Sequence, residues 1–270
     1  MEIQQITDLR DEADELDRLL VTLKPADWDR PTLFKQWTIN DVVQHLHMAD
    51  VMAFNSVTDP DGYDRLMADI AAQRAKGLSR VVETRQRFSH LSGEGLRAHW
   101  RSYLINLCDA LAKRDPKDRL KWPGPGMGVR MFTTARQMET WAHSQAIYDL
   151  VGVDRPAASP RLRNIAEIGA RTFAWAYRNR GLEVPADAPY IRLATPFGDV
   201  WEWHTPSETN AVIGDALSFC QVATQIRNVA DTDLTITGPI AQHWMSIVEC
   251  FAGLPETPPA TGSRHKTVVS

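Results

Sequence analysis

The sequence predicts a mainly α-helical protein that carries a smaller α+β region towards its C-terminus. Up to about residue 180, apolar residues recur every three or four positions, which is the period of an α-helix with one buried face. Short clusters of Gly, Pro and Asp separate these segments. After Pro185 two short segments with aromatic and β-branched residues flank a turn, a pattern typical of a β-hairpin.

The helical half begins with a stripe of leucine, isoleucine and alanine that ends before Pro25. Thr38 or Asn40 can cap the second helix, and the third is expected to bend near Gly77. The Pro- and Gly-rich residues 122–128 are expected to form a loop, because they alternate residues that fix φ with residues that free it. The predicted helices cover approximately residues 3–23, 40–57, 63–91, 93–115, 129–150 and 160–180.

In the C-terminal region, residues 190–194 and 200–204 are predicted to pair across a turn at 196–199. Beyond this hairpin we expect a helix, a strand and a helix, over residues 210–228, 233–237 and 239–251. The predicted organisation is therefore a helical bundle, a small α+β domain and a flexible tail, over residues 1–182, 183–254 and 255–270.

Composition excludes several classes of protein. The chain has 30 Lys and Arg against 34 Asp and Glu, so its net charge of -4 argues against a nucleic-acid partner. No run of about 18 apolar residues and no basic, then apolar, start is present, so we expect no membrane span and a cytoplasmic protein. The distant cysteines Cys108, Cys220 and Cys250 predict buried small side chains rather than disulfides or a thiolate metal site.

Ionisable residues interrupt two of the apolar stripes. Glu139 and His143 lie on the inward face of the helix predicted over 129–150, four residues apart, so both side chains could reach one cation. His45 interrupts the inward face of the second helix in the same way. Two imidazoles and one carboxylate with open positions suit Zn or non-haem Fe(II). A buried pair of Glu139 with His143 or Arg136 is the simpler alternative, and spacing alone does not decide between them.

Other candidate residues have weaker patterns. His47 lies about 200° round the helix from His45, so we expect it at the rim of a site, or paired with Asp50 as a rival metal site. Trp37 and Trp100 are expected to pack in the core or to line a pocket, and core packing is the preferred interpretation. The sequence contains no phosphate-binding loop with its lysine and no nucleophile elbow of the GxSxG type.

Two segments resemble the signatures of a known superfamily. Residues 37–46 read WTINDVVQHL and resemble W-[ST]-x-x-[DE]-x-x-x-H-L of the DinB-like, mycothiol-dependent maleylpyruvate isomerase superfamily. Residues 136–145 read RQMETWAHSQ and resemble its second signature, R-x-x-E-x-W-x-H. The resemblance covers nearly the whole chain, including the small C-terminal domain, and points to a bacterial branch of the superfamily distinct from the isomerase itself.

The resemblance implies a DinB-like four-helix bundle that binds a divalent metal, usually zinc and alternatively Fe or Ni, through His45, Glu139 and His143. It implies a small-molecule substrate and a low-molecular-weight thiol such as mycothiol. Metal favours the thiolate, which can add to a conjugated double bond, allow rotation and leave again as a cis-trans isomerase, or remain bound as the product of a thiol transferase. Most members have a small or apolar residue at the position of His47, so the pocket chemistry here is expected to differ.

Further expectations complete the functional hypothesis. Arg227 is a candidate cation for the substrate carboxylate, because it lies in the small domain that helps to close the cleft in the isomerase. The alternatives are a thiol-independent metal hydrolase, lyase or isomerase with His47 or Asp50 as acid or base, and a metal-binding module without turnover. A homodimer is the assembly we expect beyond the monomer. The substrate, the thiol and the metal are left open by the sequence.

Overall fold

The structure is a computed structural model that describes residues 3–156 and 159–268. It consists of two compact units, and the division falls between Val151 and Gly152. The helices of the first unit are α1 (Gln4–Leu20), α2 (Ile39–Thr58), α3 (Pro60–Ala75), α4 (Arg80–Arg87), α5 (Gly93–Leu111) and α6 (Val129–Val151). A short hairpin of β1 (Arg119–Leu120) and β2 (Met127–Gly128) occupies the predicted loop region before α6.

Helices α1, α2, α5 and α6 form a four-helix bundle. In this bundle α2 packs against both α5 and α6, and α1 also packs against both of them. The inward faces form one apolar core, whose fully buried members include Leu9, Leu16, Leu46, Trp100 and Phe132. Helices α3 and α4 pack on the outside of α2. The predicted third helix is therefore two helices, and Gly77 lies between them with a φ of +86°.

Thr38 caps α2, which settles the choice between the two predicted caps. Its hydroxyl oxygen accepts a hydrogen bond from the backbone N–H of Asp41 at 3.2 Å. The Asp41 carboxylate accepts the backbone N–H of Thr38 at 2.8 Å in return, so the two residues form a capping box. This cap fixes where α2 begins and, with it, the direction of every side chain along the helix.

The second unit combines a four-stranded sheet with helices. Its elements are α7 (Leu162–Arg171), α8 (Phe173–Arg178), β3 (Tyr190–Ala194), β4 (Val200–Trp203), β5 (Ala211–Asp215), α9 (Ala216–Ala223), β6 (Thr235–Thr237) and α10 (Pro239–Ile247). The strand order is β4-β3-β5-β6, with β3 and β5 parallel and the other pairs antiparallel. The predicted hairpin and the predicted strand near residue 235 are confirmed.

The predicted helix over 210–228 is wrong at its N-terminal end. Residues 211–215 form β5, because parallel pairing with β3 satisfies their backbone groups, and Asp215 caps α9 by accepting the Ser218 N–H at 2.8 Å. Helix α9 ends at Ala223, earlier than predicted, and Gln225 just beyond it has a φ of +57° in the left-handed region. The N–H groups of Gln225 and Ile226 donate to the carbonyls of Val222 and Gln221, which is the Schellman pattern.

The compact units divide at 151/152, nearer the N-terminus than the predicted boundary at 182/183. Helix α7 groups with the sheet because the indole Nε1 of Trp203 on β4 donates to Glu167 on α7 at 2.7 Å, and α7 also packs on α9. The segment predicted as a tail is hydrogen-bonded within the second unit, since Asn228 Nδ2 donates to the carbonyl of Pro259 at 2.8 Å. Its flexibility stays a prediction.

Two further expectations concern the cysteines and membrane spans. Cys108, Cys220 and Cys250 are buried thiols, as predicted. Within residues 3–156 and 159–268, no helix is both long and apolar enough to span a membrane.

Gly238 provides a test of the second unit. It joins β6 to α10 with a φ of +89° and a ψ of 155°, a conformation that essentially only glycine adopts. A Cβ there would lie 2.1 Å from the carbonyl oxygen of Thr209. We therefore expect Gly238→Ala to lower the free energy of unfolding in urea by at least about 2 kcal/mol.

Gly77→Ala is the matched control for this prediction. Gly77 also has a positive φ, but a Cβ at this position would have no described heavy atom within 4 Å. Its substitution should cost only about 1 kcal/mol. Equal losses in the two variants would show that the contact with Thr209 does not constrain the second unit.

Candidate metal centre

The packing of α2 against α6 brings His45 next to Glu139 and His143. The three residues each offer one nitrogen or oxygen atom, and these atoms all lie within 4.8 Å of one another. Glu139 Oε2 lies 3.3 Å from Nε2 of His143 and 3.6 Å from Nε2 of His45. The spacing of four residues on α6 explains the first contact. The second depends on which helices become neighbours in the bundle, and no local sequence pattern encodes that choice.

Burial sets the protonation states of this cluster. Desolvation lowers the pKa of His45 to about 4; the neighbouring His143 acts in the same direction, and Glu139 acts against it. Desolvation disfavours the charged form of Glu139, but the imidazoles of His143 and His45 outweigh it and hold the Glu139 pKa well below its usual range. At neutral pH His45 is therefore neutral and Glu139 is ionised, which are the forms that bind a divalent cation.

The cluster fits a divalent cation. The buried Nε2 of His45 has no hydrogen-bond partner among the described residues, and such a buried polar atom costs free energy unless a ligand satisfies it. The side chains of His45, His143 and Glu139 are 11%, 15% and 19% exposed, so a small ligand can reach them. Two imidazole nitrogens and one carboxylate oxygen form a donor set for Zn²⁺ and for transition metals such as Fe(II), with coordination positions left open.

Two aromatic side chains cover one side of the cluster. The Trp37 ring lies parallel to the His143 ring, with an interplanar angle of 6° and a centroid distance of 6.1 Å. Trp37 also meets the His45 ring at 5.2 Å, and Phe34 meets the His143 ring edge-on at 5.0 Å. Trp37 is buried and also lines the site, so both of its expected roles apply. No pattern in the sequence singles out Phe34.

A strained turn positions Phe34 and Trp37. Lys35 and Gln36 have φ values of +51° and +57°, and the Trp37 N–H donates to the Phe34 carbonyl at 2.9 Å. Two consecutive positive φ values are typical of a type I′ turn, which usually contains Asn-Gly. Because neither residue is glycine or asparagine, each costs about 1–2 kcal/mol. The missing Asn-Gly also explains why sequence reasoning missed this turn.

Of the two simpler partners expected for Glu139, His143 is in contact with it at 3.3 Å, whereas Arg136 is not. Arg136 Nε and Nη2 instead donate to Asp50 Oδ1 at 3.0 and 2.9 Å. Asp50 Oδ2 accepts the indole N–H of Trp100 at 3.1 Å. Burial raises the pKa of Asp50, and Arg136 opposes that shift. With both oxygens engaged inside the bundle, Asp50 is better placed to hold helices together than to transfer a proton or bind a metal with His47.

His47 lies on a different side of α2 from the cluster. It is buried, and its ring contacts Phe88, His99 and Tyr103 at centroid distances of 4.7, 4.8 and 5.1 Å. Burial, together with the neighbouring His99, lowers the pKa of His47 to about 4. Its surroundings are thus an aromatic group between α2, α4 and α5. A role for His47 in acid-base chemistry stays a prediction.

Arg227 belongs to the second unit, where it follows the end of α9 instead of lying on the helix as predicted. Its Nη1 donates to the carbonyl of Ile226 at 3.3 Å. Its role as a cation for a substrate carboxylate stays a prediction.

Comparison with known proteins identifies the family. The model of the mycothiol maleylpyruvate isomerase N-terminal domain matches residues 9–148, a stretch that contains His45, Glu139 and His143. The chain belongs to this family. The superfamily expected from the two sequence signatures is therefore confirmed.

Similarity to other proteins of known sequence extends over nearly the whole chain. "Uncharacterized protein MT0041" of Mycobacterium tuberculosis strain CDC 1551 / Oshkosh is 36% identical over 250 residues, which are 93% of this chain and 96% of the relative. "Uncharacterized protein Rv0036c" of strain ATCC 25618 / H37Rv gives the same identity and coverage. The similarity thus includes both compact units, beyond the N-terminal domain that the family model covers.

Solved structures show the same fold. A crystal structure of the mycothiol-dependent maleylpyruvate isomerase matches with a TM-score of 0.53 at 15% identity, over 82% of this chain and 88% of that chain. A histidine-to-alanine mutant of that enzyme matches over the same shares, with a TM-score of 0.52 at 14% identity. The predicted class, a helical bundle with a smaller α+β domain, is confirmed.

Metal binding should appear as a stabilisation of the helical unit. For a ligand that binds only the folded state, a concentration of 100 times Kd adds about 2.7 kcal/mol to the free energy of unfolding. We expect Zn²⁺ added to chelator-treated protein to raise the thermal midpoint, and His45→Ala to remove that increase because one ligand is lost. His90→Ala, at an exposed histidine, is the control and should keep the increase. An undiminished increase in His45→Ala would rule out this ligand set.

The turn at Lys35 and Gln36 gives a second test. Gln36→Gly should raise the free energy of unfolding by about 1 kcal/mol, because glycine adopts a positive φ without strain. The matched control is Gln73→Gly inside α3, which should lower stability by about 0.5–1 kcal/mol. Urea titrations measure both changes. Destabilisation by Gln36→Gly would mean that the turn is not strained.

Proposed function

We propose that this protein is a metal-dependent enzyme that uses a low-molecular-weight thiol to isomerise, or to add to, a small unsaturated carboxylate or a related electrophile. The observation that carries the proposal is the cluster of His45, Glu139 and His143, with donor atoms within 4.8 Å and one buried nitrogen without a described partner. The family, together with the mycothiol-dependent maleylpyruvate isomerase of the same fold, supports the choice of thiol and substrate class.

His45, Glu139 and His143 would hold the divalent cation, with Zn²⁺ as the first choice and Fe or Ni as alternatives. A cation bound there would favour thiolate over thiol and so supply a strong nucleophile at neutral pH. Glu139 contributes the negative charge of the donor set, while His45 and His143 contribute imidazole nitrogens. The ionised Glu139 and neutral His45 need no protonation change before they bind.

Phe34 and Trp37 would limit access of water to the reacting groups. Trp37 is 9% exposed and covers the imidazoles of His143 and His45, so the reactants must approach from another side. Exclusion of water strengthens electrostatic interactions within the site and lowers the chance that an activated electrophile is hydrolysed. The aromatic wall therefore suits a reaction in which a thiol, rather than water, is the nucleophile.

The proposed isomerisation balances without an oxidant or a reductant. The thiolate sulfur forms a bond to one carbon of the cis double bond, and the displaced electron pair moves onto the conjugated carbonyl. The former double bond is then single and can rotate. The electron pair then returns from the carbonyl to form the double bond again, the carbon–sulfur bond breaks, and the thiolate is released, which leaves the trans alkene. In the transferase version the proton that the thiol lost on ionisation is added to the neighbouring carbon, and the sulfur stays bound.

The substrate carboxylate needs a cation in either version of the reaction. We propose Arg227 of the second unit for this role, in keeping with the expectation from the sequence. A guanidinium can bind a carboxylate with two hydrogen bonds, which fixes orientation as well as charge. Arg227→Met should then raise KM much more than it changes kcat, if the contact is the same in substrate and transition state.

A kinetic assay tests the proposed function. Zn²⁺-loaded protein is mixed with maleylpyruvate, with and without mycothiol, and the cis-trans conversion is followed by absorbance. We expect turnover only with thiol and a loss of at least about 100-fold in kcat/KM in Glu139→Gln, because loss of a metal ligand removes several kcal/mol of stabilisation. His90→Ala should keep full activity. Equal cis-trans conversion without thiol would instead support a thiol-independent metal isomerase.

A further inference from the structure

Asp50 and Arg136 form an ion pair in the centre of the helical unit. Both side chains are 0% exposed. Arg136 donates through two nitrogens, Nε and Nη2, to the single oxygen Oδ1 of Asp50. The pair therefore joins α2 to α6 through two charge-assisted hydrogen bonds, which are stronger and more directional than neutral ones.

The same two helices carry all three residues of the candidate metal centre. On α6, Arg136 lies three residues before Glu139, so the two side chains leave nearly the same face of the helix. On α2, Arg136 Nη2 also donates to the backbone carbonyl of Leu46 at 3.4 Å, and Leu46 directly follows His45. The Arg136 guanidinium thus contacts α2 at the Asp50 side chain and at the backbone carbonyl of the residue that follows His45.

Other helices and loops fix the pair in place. Trp100 on α5 donates its indole N–H to the second oxygen of Asp50 at 3.1 Å, so the carboxylate cannot turn away from Arg136. The Trp122 ring lies 5.8 Å from the centre of the Arg136 guanidinium, which is within the range of a cation–π contact. A planar group held by a carboxylate, a carbonyl and an aromatic ring has little freedom to move.

Stability does not account for this arrangement. A fully buried ion pair loses hydration, and apolar side chains of similar size in its place are often as stable or more stable. In addition, Arg136 Nη1 is buried and has no hydrogen-bond partner among the residues that the structure describes, which adds a further cost. An apolar contact would hold the helices together, but it would not specify their separation and register as closely as directional hydrogen bonds do.

We propose that Asp50 and Arg136 are positioning residues that fix α2 against α6 and thereby set the distance from His45 to Glu139 and His143. The inference rests on the proposed function in one respect, namely that these three residues bind a metal. It assigns to Asp50 a role in site geometry in place of proton transfer. Groups that orient ligands from outside the coordination sphere typically change metal affinity by about 10- to 100-fold when they are removed.

The test separates metal affinity from folding. The double variant Asp50→Leu/Arg136→Met replaces the pair with apolar side chains and should keep the thermal midpoint of the metal-free protein at or above that of the wild type. Its Kd for Zn²⁺, measured against a chromophoric chelator, should rise about 10- to 100-fold. The absorption spectrum of the Co²⁺-substituted protein should change as well, because it reports coordination geometry. A purely structural role would move the midpoint and leave both metal readouts unchanged.

A matched control and a conservative variant complete the design. Arg101 and Asp14 form an ion pair between α5 and α1, which carry no residue of the cluster, so Asp14→Leu/Arg101→Met should leave the Zn²⁺ Kd within about twofold of the wild type. Arg136→Lys keeps the positive charge opposite Asp50 but loses the planar guanidinium, which also donates to the Leu46 carbonyl. We expect this variant to fold and to bind Zn²⁺ more weakly.

The outcomes distinguish the two proposals. If the wild type binds neither Zn²⁺ nor Co²⁺, both the proposed function and this inference are wrong. If the wild type binds metal and both the double variant and Arg136→Lys bind it equally well, the inference alone is overturned. Weaker binding in both, with the α1–α5 control unchanged, supports it even where the double variant is less stable than expected.

Discussion

The charge on Glu139 is the constraint around which the helical unit is arranged. Inside a bundle of apolar side chains a carboxylate must be compensated, yet the imidazole of His45, with a pKa of about 4, supplies no positive charge at neutral pH. The packing of α2 on α6 instead brings three electron-rich groups within 4.8 Å. The lone pairs of three such groups are satisfied together when a proton or a cation lies between them. The cluster is therefore an arrangement that the rest of the fold must hold together.

Two features of the bundle hold the cluster in place. The Asp50–Arg136 ion pair links the same helices by directional hydrogen bonds, and the turn at Lys35 and Gln36 presses Phe34 and Trp37 against the imidazoles. Both carry a cost, one in desolvation and the other in left-handed backbone conformations. Local strain and buried polarity of this kind are commonly found where a protein keeps a site ready for a ligand, because a more relaxed packing would be more stable and less well organised.

The sequence predicted some of this and could not predict the rest. The helical half and the small sheet follow from period and turn chemistry, and His45, Glu139 and His143 stand out because ionisable residues interrupt apolar stripes. The partner of Arg136 could not be predicted from the sequence. Glu139 is its neighbour in sequence, but its actual partner, Asp50, is 86 residues away and becomes a neighbour only through helix packing. The helical period does not reveal strand β5 either, because its pairing with β3 is also non-local.

The second helix also shows why closeness in sequence does not define a site. His45, His47 and Asp50 lie within two turns of α2, but the helical period directs them to different surroundings. His45 faces Glu139 on α6, and Asp50 faces the guanidinium of Arg136. His47 instead contacts the rings of Phe88, His99 and Tyr103. A metal hydrolase needs an acid or a base beside its water. Addition and elimination of a thiolate require no net proton transfer, so the proposed isomerisation does not depend on an acid or base at His47 or Asp50.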